Sequence, residues 1–89
     1  MATIHLHIAG KVQGVFYRAT AKEVADRLNL SGWIKNKKDD TVEAVVTGDD
    51  EQLKKFVDWC KQGPEKATVE KVIVTEQEPL DFKDFVILR

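Results

Sequence analysis

The apolar residues at the start of the chain repeat first with one period and then with another. Ile4, Leu6 and Ile8 alternate with His5 and His7, the pattern of a strand with one buried face. Ala21, Val24, Ala25 and Leu28, within "ATAKEVADRLNL", fall instead at helical spacing and put one apolar stripe on a helix of about three turns. The two patterns then return. "LSGWIKN" and "TVEAVVTG" read as strands, and the short "KKDD" between them predicts an antiparallel hairpin with Val42, Ala44 and Val46 on one face. Leu53, Phe56, Val57 and Cys60 form a second helical stripe. Asp49 and Gln52 predict a capping box at its start, and "QGP" predicts its stop. "TVEKVIVTE" and "FVILR" are extended. Val69 is in phase with Ile73 but not with Val72 or Val74, which predicts a bulge or an edge position, while Phe85 and Ile87 share a face opposite Val86 and Leu88.

The resulting order is β-α-β-β-α-β, with the last strand whole or broken in two by "QEPLDF". Two helices with one apolar stripe each cannot sandwich a sheet and also cover each other, so both should pack on one sheet face. The expected fold is α+β, a ferredoxin-like α/β sandwich on a mixed, antiparallel-type sheet. At 89 residues this is one domain, 1–89, without room for a second core. Lysine and arginine number 14 against 15 aspartates and glutamates, a balance that gives no support to non-specific nucleic-acid binding. The aromatics Phe16, Tyr17, Trp33, Phe56, Trp59, Phe82 and Phe85 also lack the central-strand display with which sheets of this kind read RNA. No nucleic-acid partner is expected. A lone cysteine, Cys60, excludes an intramolecular disulfide and a multi-cysteine metal site. "MATIHLHIAG" does not read as a secretory signal, and no stretch approaches the roughly 20 apolar residues that span a bilayer. A cytoplasmic monomer with no membrane partner is the expectation.

The segment "GKVQGVFYR" joins the first strand to the first helix. The helical crossover makes the first and second strands parallel, so their carboxyl ends share one edge of the sheet. Arg18 and Asn36 thereby become neighbours in space. The first amides of a helix lack internal acceptors and favour an anion, Gly10 and Gly14 allow the backbone to curve around one, and the Arg18 fork suits a phosphate or carboxylate. A plain connector that binds nothing has the same features, and Asn36 also suits a turn. No acid or histidine is placed beside this edge, so chemistry there would rest on position and electrostatics rather than on a strong base. His5 and His7 share a strand face as metal ligands would, but without a third ligand they read as surface residues. Trp33 and Trp59 read as packing, Cys60 as a buried small hydrophobe, and "KNKK" as solvated surface or as an attraction for anions.

Together, "GKVQGVFYR" and "SGWIKNKKDDTVEAVVTG" resemble the two signatures of acylphosphatases, and the match continues through "KEVADRLNLSGW" to the closing "FVILR". The resemblance implies hydrolysis of the carboxyl-phosphate bond of acyl phosphates, small or protein-borne, with no metal or cofactor. It assigns the phosphoryl group to Arg18 and to a cradle of loop amides contributed by Gln13, Gly14, Val15, Phe16, Tyr17 and Arg18. It assigns the orientation of the attacking water to Asn36 and gives Thr41 no chemical role. Two departures from the family pattern stand out. Asp40 occupies a hairpin position where glycine is usual, which predicts a strained turn, and Phe16-Tyr17 precedes the arginine where many relatives have a glycine or another aromatic. Tyr17 therefore either lines the site or packs beside it. The alternative reading, motivated by Asp40, is a noncatalytic phosphate-binding domain of the same fold.

Overall fold

The structure, a computed structural model, describes residues 1–88. Its elements are β1 (Ala2–Lys11), α1 (Tyr17–Arg27), β2 (Ser31–Asn36), β3 (Val42–Gly48), α2 (Asp50–Gln62), β4 (Thr68–Gln77) and β5 (Phe85–Ile87). They build one five-stranded sheet in the order β4-β1-β3-β2-β5 with both helices on one face, the ferredoxin-like arrangement expected. β3 pairs antiparallel with both β1 and β2, so β1 and β2 run parallel on either side of it.

The core lies between sheet and helices. Ile4, Leu6 and Ile8 of β1, Val42, Ala44 and Val46 of β3, and Ile34 of β2 meet Ala21, Val24 and Ala25 of α1 and Leu53, Phe56 and Cys60 of α2. Leu28 and Val57, the remaining members of the two expected stripes, are half-buried. α1 ends in a Schellman motif: Asn29 takes φ 57°, its N–H donates to the Asp26 carbonyl, and the buried Leu30 donates to the Ala25 carbonyl. No helix among the described residues is long and apolar enough to cross a membrane.

Two expectations are corrected. Asp49 is the N-cap residue of α2 and its carbonyl accepts from Leu53, but its side chain makes no capping bond, so the capping box does not form. Asp50 and Glu51 in the first turn place negative charge at this helix end instead. The last extended segments are not one broken strand. β4 pairs with β1 at one edge of the sheet, and β5 pairs parallel with β2 at the other. Residues 78–84 connect them across the face away from the helices, where a relay of hydroxyls pins them. The Leu80 N–H donates to Thr3 Oγ1 at 2.9 Å, Thr3 pairs with Thr47 Oγ1 at 2.7 Å, and Thr47 donates to the Leu80 carbonyl at 2.8 Å.

β4 is both an edge strand and bulged. Its register against β1 steps from Ala9↔Lys71 to Gly10↔Val69, leaving Glu70 without a partner. Val69 and Val72, on either side of the step, both pack against the core despite their parity. Gly10 belongs to β1 rather than to the loop. A Cβ there would lie 2.1 Å from the Thr68 carbonyl oxygen, so this glycine serves the close approach of β4 and not the curve expected of it.

Candidate active site

Because β1 and β2 run parallel, the loop after β1 (residues 12–16) and the turn after β2 (residues 37–41) emerge at one edge of the sheet. Val12 and Val15 are buried and anchor the loop to the core. Gly14 at φ 72° and Phe16 at φ 63° are left-handed, and Val15 between them keeps a negative φ. Alternating handedness of this kind turns successive N–H groups toward one concave side, a nest for an anion. None of the N–H groups from Gln13 through Arg18 donates to an acceptor among the described residues. A Cβ on Gly14 would meet nothing within 4 Å, so its backbone conformation, not crowding, requires glycine, and the space above the nest is open.

Arg18 is the second residue of α1, at the positive end of the helix dipole. It is half-buried, and Nη1 donates to the Leu88 carbonyl over a long 3.4 Å. Asn36 ends β2 on the same strand face as Ile34, the face toward the helices. Its Oδ1 is buried and has no hydrogen-bond partner among the described residues. Arg18 and Asn36 line one cleft of about 280 Å³ with Gly14, Phe16 and Ile87. Among the described lining residues, Arg18 is the sole charge. The two residues singled out in the sequence, 18 positions apart, thus face the same space.

Two cradle residues make their side-chain hydrogen bonds elsewhere. Gln13 turns its amide toward the β2–β3 turn, where Nε2 donates to the carbonyls of Lys37 and Thr41, both at 2.8 Å. Tyr17 both lines the cleft and packs into the core. Its ring lies 5.3 Å from that of Trp59, and its hydroxyl donates to the Cys60 carbonyl at 2.8 Å. Burial, reinforced by Cys60, raises the Tyr17 pKa far above its ordinary value, and burial pushes the Cys60 thiol up to about 12. Neither group ionises near neutrality to supply a base or nucleophile. Phe16 is 75% exposed, so the cradle takes from it a backbone bend rather than packing.

In the turn, Asp40 holds φ 68°, the left-handed conformation anticipated for a residue replacing glycine. The Asp39 carboxylate accepts from the Thr41 hydroxyl and N–H, which hold its pKa below the usual range. The sequence reading overlooked this contact, although Asp and Thr two apart between strands are a recognisable turn signature. It also overlooked the side chain of Gln13 and the place of Ile87 in the cleft, both fixed by tertiary structure. His5 does not pair with His7: its Nε2 meets Glu43 Oε2 at 2.6 Å on the open sheet face.

The family model for acylphosphatase matches residues 4–87. The chain is 47% identical over 78 residues to an acylphosphatase of Thiobacillus denitrificans, covering 88% of each chain. Its fold superimposes on an acylphosphatase of Bacillus subtilis with a TM-score of 0.96 at 33% identity, each chain covered fully. For an acylphosphatase of Coxiella burnetii the TM-score is 0.95 at 36% identity, with 98% of this chain and 92% of that one covered. Matches that run through both signatures to the final strand favour turnover over the noncatalytic alternative. The chain belongs to the acylphosphatase family and hydrolyses acyl phosphates to a carboxylate and inorganic phosphate.

Proposed function

We propose that Arg18 and the amides of Gln13 through Arg18 hold the phosphoryl group while Asn36 orients the water that attacks it. The observation that carries this reading is that Asn36, 18 positions from Arg18 in sequence, lines the same cleft as Arg18 and Gly14 of the cradle. A side-chain amide both donates and accepts, so it can hold a water without a change of protonation state. Held by the Asn36 amide, the attacking water presents a lone pair to phosphorus. The amides and the Arg18 fork stabilise the equatorial oxygens as the bond to the acyl oxygen breaks and the carboxylate departs unprotonated. The water's proton passes to a phosphoryl oxygen of the substrate, which fits a lining in which Arg18 is the sole charge among the described residues. Lys35, Lys37 and Lys38 flank Asn36 and favour arrival of the anion, opposed by Asp39 and Asp40 in the same turn.

The open cleft suits small acyl phosphates and phosphorylated carboxylates on proteins alike. No metal or cofactor is assigned a role. One copy supplies every residue of this site, which supports a monomeric working unit in a single domain, 1–89. A free, buried Cys60 fits a reducing cytoplasm.

The test is turnover of an aryl acyl phosphate in chelator-treated buffer, with inorganic phosphate as competitive inhibitor. Arg18→Ala should weaken phosphate binding by about 10–100-fold, the scale of lost charge-assisted hydrogen bonds, and lower the rate as well. Arg18→Lys should fall between, since it keeps the charge without the fork. Wild-type phosphate affinity in Arg18→Ala would refute the assignment.

A further inference from the structure

Gln13 carries a function separate from its place in the cradle. Its side-chain amide has two N–H donors, and both are used: one meets the Lys37 carbonyl and the other the Thr41 carbonyl, each at 2.8 Å. Both partners are carbonyl oxygens, so the nitrogen rather than the oxygen of the amide must face them. The two carbonyls stand on opposite legs of the β2–β3 turn, immediately beyond its last strand pair, Asn36↔Val42. They are already coupled, because the Lys37 N–H donates to the same Thr41 carbonyl at 2.8 Å. One side chain therefore grips the mouth of the hairpin at the residue following Asn36.

The backbone of Gln13 leads into the left-handed turn at Gly14 that forms the nest. From the geometry we infer that Gln13 is a positioning residue. It fixes the hairpin, and with it the Asn36 amide, against the phosphate cradle, setting the distance between water and phosphorus. The inference rests on the assignment of Asn36 above. The need for such a link is physical. Cradle and water-holder sit on separate loops, and catalysis by position loses about 100-fold when the reacting atoms are misplaced by about 1 Å. The turn has no other side-chain tie to the cradle loop among the described residues. Glutamine suits the task better than glutamate, whose carboxylate would repel both carbonyls and the incoming anion.

The experiment is a double-mutant cycle on kcat with Gln13→Met, Asn36→Ala and the pair, alongside phosphate inhibition and thermal unfolding. Methionine keeps the length and lack of branching of glutamine and removes both donors. Gln13→Met should lower kcat about tenfold, the scale of one to two hydrogen bonds, and leave phosphate affinity within about a factor of two. In the Asn36→Ala background the same change should cost nothing further, because the residue it positions is gone. A purely structural role predicts a lower Tm with kcat intact, which would overturn the inference, as would an equal loss of kcat in both backgrounds. Should Gln13→Met fail to fold, Gln13→Asn, one methylene too short to span both carbonyls, is put through the same cycle with the same criteria. If Asn36→Ala keeps the wild-type rate, the assignment of Asn36 fails, and this inference with it. If Asn36→Ala is slow and Gln13→Met is not, the inference alone fails.

Discussion

Phe16 and Asp40 both hold positive φ beside the cleft, 63° and 68°, where residues with a Cβ are rarely found. Phe16 bends the cradle, and the strain there accompanies a concave row of N–H groups that the chemistry uses. Asp40 bends the turn, and no side-chain hydrogen bond of Asp40 to another described residue offsets its conformation. Glycine at this position removes a steric cost of about 1–2 kcal/mol and returns part of it as unfolded-chain entropy. Asp40→Gly should therefore stabilise the fold by up to about 1 kcal/mol, a rise of roughly 4–8 °C in Tm per kcal/mol for a domain of this size. An unchanged or lower Tm would show that the turn is not strained. The strain at Asp40 was legible in the sequence because aspartate stands where the family usually has glycine. The bend at Phe16 was not, since nothing in a phenylalanine announces a left-handed backbone.

At the scale of elements, the period of apolar residues located both helices and the first three strands, because each buries one face against a common core. Periodicity misled where a strand had only one neighbour. Val69 and Val72 both reach the core only because Glu70 is bulged out, and parity cannot reveal that. The open face of the sheet was equally illegible. There His5 of β1 binds Glu43 of β3, with Lys35 of β2 3.6 Å from the same carboxylate. The hydrogen bond from His5, aided by nearby positive charge and opposed by partial burial, lowers the Glu43 pKa. A carboxylate whose pKa is lowered in the fold adds stability that is complete above its unfolded value of about 4.3. That stability is lost as pH falls through the lower native value. His5→Ala should move the Glu43 pKa back upward, read by NMR titration of its carboxyl carbon, and should reduce this component of the acid-side loss of stability. A Glu43 titration unmoved by His5→Ala would contradict this account of the shift.

For the molecule as a whole, topology creates the site. Parallel β1 and β2 with β3 between them bring two loops, 18 positions apart at Arg18 and Asn36, to one edge. That juxtaposition followed from the order of elements alone. The return of the chain to the far edge did not, because it depends on residues 78–84 crossing the open face under the Thr3–Thr47 relay, and paired threonines have no period. The crossing matters for function: it delivers Ile87 to the cleft and the Leu88 carbonyl to Arg18. The central claim is a division of labour, with the cradle and Arg18 binding phosphate and Asn36 placing water. It is tested most directly by Asn36→Ala, measuring kcat and the inhibition constant of inorganic phosphate on the same preparation. The account predicts a fall in kcat of about 100-fold or more with phosphate affinity held within about a factor of two. Full turnover in Asn36→Ala, or a loss of phosphate binding as large as the loss of rate, would contradict it.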